Sequence, residues 1–291
     1  MDGHHPGAGA VSPEAAPPFT RILAGTDGSE RAEEAVRQAA RLAAVMGASL
    51  RVAFVIDARH PHDDPDLEAR AEELLRRAGT IAAHEGAEAT TRVLAGDPAE
   101  ALLGEAAEHG VDLVCVGPDA GVLGGAIRIG RVTAHVLRHA PTSVLLARGR
   151  PEGFPHRIQC GVDGSDSSVD TARLAGAVAA STGAELRLQH VIPIFRGDNQ
   201  AWSLDESEDT PSELEPAVAA VRELGVEPIR EMAMGRPEHA LVESARRDKV
   251  DLTVVGHRGL SGVARVLLGS VSEYVAQHAP CSVLVARLAR G

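Results

Sequence analysis

The chain has 291 residues, enough for two ordinary domains that each bury a core. Its net charge of −12, its 2% aromatic content and the lack of a Lys/Arg block argue against a nucleic-acid partner, which needs cations to track phosphates and rings to stack bases. No apolar run reaches membrane-spanning length and no basic region leads into a hydrophobic one at the N-terminus, so a cytoplasmic, membrane-free protein is expected.

Residues 1–18, "MDGHHPGAGAVSPEAAPP", are small and Pro-rich and read as a disordered tail. From there short β-rich runs alternate with longer Ala/Leu/Arg/Glu helical patterns. Strands are expected near 20–25, 49–56, 88–94, 112–117 and 142–147, and helices near 30–46, 66–85, 98–109 and 130–139. Gly47, Gly86 and Gly110 stand where helices should stop, and Ser29 and Ser165 follow strands as N-cap candidates. Cys115, Cys160 and Cys281 lie far apart in apolar runs without metal-site spacing, so they read as buried small hydrophobes.

The second half repeats the first. "ILAGTDGSE" (22–30) answers "IQCGVDGSD" (158–166), and "VLRHAPTSVLLAR" answers "VAQHAPCSVLVAR", with the register offset by 136 at the start and 139 near the end. Domains are therefore expected at 19–148 and 157–291, joined by a Gly/Pro-bearing linker at 149–156. Alternating β and α, with strands near 112–117 and 251–255 apolar nearly throughout, predicts an α/β doubly wound parallel sheet in each domain. Ligands of such sheets bind beyond the carboxyl ends of the strands, where strand order reverses.

The stretch "VVGHRGLSGVARVLLGSVSEYV" (254–275) carries the chemistry. Gly256 ends a buried strand, and Gly269-Ser270 opens a helix. Gly256 and Gly259 permit positive φ and remove Cβ atoms, so a ligand can approach the main chain. Successive N–H groups form an anion-binding concavity, and the helix N-terminus adds unpaired N–H groups with a positive dipole end. Ser270 is expected either to cap that helix or to donate to a phosphate oxygen. Arg258 and Arg265 bring positive charge into an acidic protein. The stretch reads as a loop shaped to hold phosphate.

Gly256-x-x-Gly259, nine residues and then Gly269-Ser270 resembles the nucleotide signature of the universal stress protein family. "GVDGS" after the first strand of the half, "GRPEHALVESA" before its fourth and "HAPCSVLVAR" as its last strand resemble that family too, and the likeness covers both halves beyond residue 18. The resemblance implies a tandem member with a five-stranded parallel sheet of order 3-2-1-4-5 in each domain, helices on both faces. It also implies ATP bound by the second domain, with Val162 and Asp163 at the nucleoside, Val191 against adenine, and Val255, Gly256, Arg258, Gly259, Gly269, Ser270 and Val271 around ribose and phosphates. Mg²⁺ would be held through phosphate oxygens.

Equivalent first-half candidates are Asp27, Val55, Gly117 and Gly130, but Asp119 replaces Arg258, Ala120 replaces Gly259 and Arg131 replaces Ser270. Asp27 and Asp163 can also be read as caps of the helices that follow them. His139 and His278, at helix ends before "AP", are expected to meet the last carbonyls rather than act in catalysis. By spacing, no acid–base pair or Walker-type Gly-Lys-Ser/Thr appears, so a stress-response binding module is expected rather than an enzyme. A slow ATP hydrolase and a nucleotide-free scaffold are the alternatives. In this family the last strands, here 142–147 and 281–287, pair about a pseudo-two-fold axis, an arrangement compatible with a further homodimer.

Overall fold

A computed structural model of the chain describes residues 16–57, 66–118, 122–123, 126–127, 129–149, 153–192, 213–257 and 268–288. The expected tail, Arg258, Gly259, Arg265, Asp119 and Ala120 lie outside them, except for 16–18 of the tail. The first half runs β1 (Arg21–Thr26), α1 (Glu30–Met46), β2 (Ser49–Asp57), α2 (Leu67–His84), β3 (Ala89–Gly96), α3 (Pro98–Glu108) and β4 (Leu113–Val116). A short antiparallel hairpin, β5 (Val122–Leu123) and β6 (Ala126–Ile127), precedes α4 (Arg131–His139) and β7 (Ser143–Leu146). The second half runs β8 (Arg157–Val162), α5 (Asp166–Thr182), β9 (Glu185–Ile192), α6 (Glu215–Arg222) and β10 (Ile229–Met234). It closes with α7 (Pro237–Arg247), β11 (Leu252–Gly256), α8 (Ser270–His278) and β12 (Ser282–Ala286).

These elements follow from local chemistry. Ser29 and Ser165 cap α1 and α5 with their hydroxyls, and Gly47 and Gly183 end the same helices at φ 65° and 72°, a backbone that glycine adopts without a Cβ clash. β4 is buried at every position, as a parallel strand covered on both faces must be. The hairpin was not expected. Its place in the sequence is the degenerate loop of the first half.

Strand order is β3-β2-β1-β4-β7 in the first half and β10-β9-β8-β11-β12 in the second, so each domain has the order 3-2-1-4-5. Within the large sheet all pairs inside a half are parallel, whereas β7 and β12 pair antiparallel, with Leu145 opposite Leu284, and fuse the halves into one ten-stranded sheet. Alternation along the strands splits the core. Ile22, Ala24, Ile158 and Cys160 face α1, α2, α5 and α6, while Leu23, Val114, Val255 and Val283 face α3, α4, α7 and α8.

A buried polar group sits beside the strand pair. Gln38 donates to Glu34 Oε1 (2.9 Å) and to the Arg148 carbonyl (3.1 Å), and Ser282 Oγ lies 2.7 Å from Gln38 Oε1. Burial pushes the Arg148 guanidinium down to about 10, so it is still charged at neutral pH. All three cysteines are free and buried, and burial pushes the Cys160 thiol up to about 12. Native protein at pH 8 should therefore leave a thiol reagent such as DTNB unconsumed, and unfolded protein should consume it fully. Rapid labelling of the native chain would contradict this core.

Burial also holds the Glu34 carboxyl above the usual carboxylate range, against the lowering pull of Gln38, Arg37 and Arg41. A raised folded pKa means that the ionised form is disfavoured in the folded state. Its stabilising contribution is full below the unfolded value of about 4.5 and is lost as pH rises through the folded value. Glu34→Gln should therefore stabilise the protein at pH 8, and the gain should shrink towards pH 4. Urea midpoints at the two pH values check this.

Candidate functional site

At the carboxyl edge of the sheet each half ends its first strand in Asp-Gly-Ser. Gly28 and Gly164 sit at φ 79° and 81°, where side chains rarely go, so glycine is required to turn the chain into the helix. Asp27 Oδ1 accepts from the Ser29 N–H (2.9 Å), and Asp163 Oδ1 accepts from the Ser165 N–H (3.1 Å) and hydroxyl (2.5 Å). The serines themselves accept from Ala32 N–H and Ser168 N–H, both at 3.2 Å. The helix caps are thus the serines; Asp27 and Asp163 close the turn in front of them.

The entrance to α8 is built from backbone. His257 N–H donates to Ala286 O (3.0 Å), and Gly269 N–H donates to His257 O (2.8 Å), so the two ends of the loop are tied together beyond β12. Ser272 Oγ donates to Gly256 O (2.5 Å), and in the first half Thr133 Oγ1 donates to Gly117 O (2.7 Å). Neither residue was singled out in the sequence, although "GSVS" and "GRVT" place a hydroxyl at the same spot of both repeats.

Gly269 and Gly130 are the N-caps of α8 and α4, and neither helix has a side-chain cap hydrogen bond. The first-turn N–H groups of both helices therefore receive no acceptor from their own cap, unlike those of α1 and α5. This answers one open point: Ser270 is the exposed first residue of α8 and does not cap it.

The conformational argument for the glycines needs correcting. Gly269 has φ −63° and ψ 149°, extended backbone open to any residue, and Gly256 is not among the glycines of positive φ. The need for a missing Cβ is seen at Gly117, the first-half counterpart of Gly256. A Cβ there would lie 2.6 Å from Arg31 O, against the first turn of α1.

The remaining candidates divide by sheet face. Val255 is buried and faces α7 and α8, with Val271 packed against the same core. Val162 is buried in the opposite core, under α5 and α6, so only its backbone lies at the site; Val191 is buried near the end of β9. Another unforeseen group is His190, whose Nδ1 lies 2.9 Å from Val162 O. His139 and His278 place Nδ1 2.9 Å from His135 O and Tyr274 O, at their helix ends as expected.

In the first half a cavity of about 150 Å³ opens among Thr26, Asp27, Val55, Gly117, Val132 and Thr133, so three of its four candidates come together. Gly130 starts α4 next to Arg131. The two halves differ in charge at the start of the helix before their fourth strand. Asp97 caps α3 by accepting from Ala99 N–H (3.0 Å), whereas α7 has Arg236 at its N-cap, paired with Glu238 at 2.6 Å. Among the described residues, Glu105, Glu108 and His109 have metal-ligand spacing, but they sit at the far end of α3 and Glu105 is paired with Arg51 (2.6 Å). No helix among the described residues is long and apolar enough to cross a membrane.

Two doubly wound α/β domains in tandem, each with a glycine-entered helix at the carboxyl edge of its sheet, define the class. A family model described as the universal stress protein family matches residues 18–148 and 155–287, and the chain belongs to that family. A universal stress protein of Methanocaldococcus jannaschii is 34% identical over 143 residues, covering 47% of this chain and 84% of the relative. One from Mycobacterium bovis is 27% identical over 305 residues, covering 92% and 95% respectively. The crystal structure of a universal stress protein from Archaeoglobus fulgidus shares the fold with a TM-score of 0.70 at 22% identity, covering 92% of this chain and 98% of that one.

The close approach at Gly117 gives a test of the site's framework. Gly117→Ala should cost about 1–3 kcal/mol in urea unfolding, because α1 backbone cannot yield as a flexible side chain would. A neutral substitution would mean that α1 and β4 are less tightly apposed.

Proposed function

We propose that the chain binds one ATP, in its second domain, and acts as a binding module of the stress response rather than as an enzyme. The observation that carries this reading is the entrance to α8: a glycine N-cap without a side-chain acceptor, on a helix bonded through Ser272 to the end of β11. Such a turn offers backbone N–H groups and the positive end of a dipole to an anion. The glycine spacing 256, 259, 269, followed by Ser270, supports nucleotide phosphates as that anion. Arg236, paired with Glu238, stands at the start of α7 where the first half has Asp97, so that helix start lacks the first half's capping carboxylate.

Asp163 stands at the nucleoside end, with Val191 beside adenine. Mg²⁺ fits as a phosphate-bound ion, since the described residues at the entrance of α8 bring no carboxylate except Glu273, which is paired with Arg138 at 2.9 Å. The first domain is the weaker site, because Asp119 repels phosphate where Arg258 attracts it, and Arg131 adds bulk where Ser270 leaves room.

Gly269→Val should abolish ATP binding in titration calorimetry while leaving the urea midpoint near that of the parent. The backbone at 269 is extended and suits valine, so the substitution tests space at the phosphates and not strain. Normal affinity in that variant would remove the phosphate-loop assignment, and a stoichiometry near two per chain would remove the asymmetry.

A further inference from the structure

The last strand of each half delivers an arginine to the other half. Arg148, just beyond β7, is 4% exposed, and its guanidinium donates to Ala279 O (2.8 Å) and to Ala276 O, the C-terminal carbonyls of α8. Arg287, just beyond β12, donates to Leu137 O (2.6 Å) and Arg138 O (2.8 Å), at the C-terminus of α4. The two are placed alike by the strand pair. Arg148 N–H donates to Ser282 Oγ (2.9 Å), and Arg287 N–H donates to Ser143 Oγ (3.1 Å).

α8 is the helix whose first turn forms the proposed anion site. At nine residues it is too short to hold itself, so tertiary contacts fix its place. Several of those contacts come from the first half. Besides Arg148, Arg138 on α4 pairs with Glu273 (2.9 Å), and β6 of the hairpin lies against α8. The hairpin lies between Gly117 and Gly130, the stretch equivalent to the second half's phosphate loop. A helix gripped at its C-terminal carbonyls moves as a rod, so the grip sets where its N-terminal N–H groups point roughly 13 Å away, at 1.5 Å per residue.

We propose that Arg148 is a positioning residue for the nucleotide site of the other domain, holding α8 by its C-terminus so that the Gly269-Ser270 turn faces the phosphates. The inference rests on the reading of that turn as the phosphate site. It makes the first domain a structural part of the second domain's ligand site. Arg287 performs the mirror task for α4 and the first-half cavity, which makes it a matched control.

The test uses the full chain with three substitutions: Arg148→Met, Arg148→Lys and Arg287→Met. In calorimetry with Mg·ATP, Arg148→Met should weaken binding at least tenfold, Arg148→Lys should recover part of the loss, and Arg287→Met should change it less than threefold. Hydrogen exchange without nucleotide gives a second readout. Amides 268–273 should exchange at least fivefold faster in Arg148→Met and unchanged in Arg287→Met. Parent-like affinity and exchange in Arg148→Met, or equal losses in both Met variants, would overturn the proposal. If the parent chain binds no ATP, the nucleotide reading fails, while the exchange data still decide whether Arg148 sets the entrance of α8. Should Arg148→Met not fold, Arg148→Lys compared with the parent carries both measurements.

Discussion

The antiparallel pairing of β7 with β12 is the constraint on which the rest of this molecule depends. Each half ends in a strand whose outer edge would otherwise present unpaired N–H and C=O groups. Pairing the two edges satisfies those groups and buries Val144, Leu145, Val283 and Leu284 between helices on both faces. It also determines where the following residues go. Two strands running in opposite directions through one sheet must each emerge beside the other half's helices, and so Arg148 meets α8 and Arg287 meets α4.

Duplication within one chain lets the two sides of this axis diverge, and the divergence is visible in the polar interior. Gln38 bridges Glu34, the Arg148 carbonyl and Ser282 in a buried group, whereas the matching position of the second half is Leu174, packed in the core. A homodimer of identical subunits would have to carry either arrangement twice. A buried carboxyl costs free energy unless partnered, so Glu34 is tolerable here because Gln38 and Arg37 reach it. The same freedom appears at the carboxyl edge, where α3 is capped by Asp97 while α7 starts at Arg236.

The site itself is economical in side chains. Its geometry comes from strand ends, helix starts and glycines, with Ser272 and Thr133 tying α8 and α4 back to β11 and β4. Backbone N–H groups at a helix start are fixed by the fold and need no reorganisation when an anion arrives. The described part of the entrance to α8 accordingly shows few charged groups.

Much of this was legible in the sequence, because the fold rests on local periodicity repeated twice. The alternation of apolar runs and helical patterns, the Asp-Gly-Ser turns and the glycine spacing all report on residues near one another along the chain, and the parallel sheets and the candidate loop follow from them, while the strand order comes from the family resemblance. Other features depend on residues far apart. That Gly269 is extended, and that Gly117 is needed because a Cβ there would meet the Arg31 carbonyl, is decided by what packs beside them. That Val162 faces the opposite core from Val255 depends on the pleat at the end of β8. The arginines show the limit most clearly. In the sequence Arg148 and Arg287 are the last residue of "SVLLAR" and of "SVLVAR", indistinguishable from surface arginines. Only the crossing of β7 and β12 places each of them at the end of a helix more than a hundred residues away, because a strand pair joins segments that no local pattern connects.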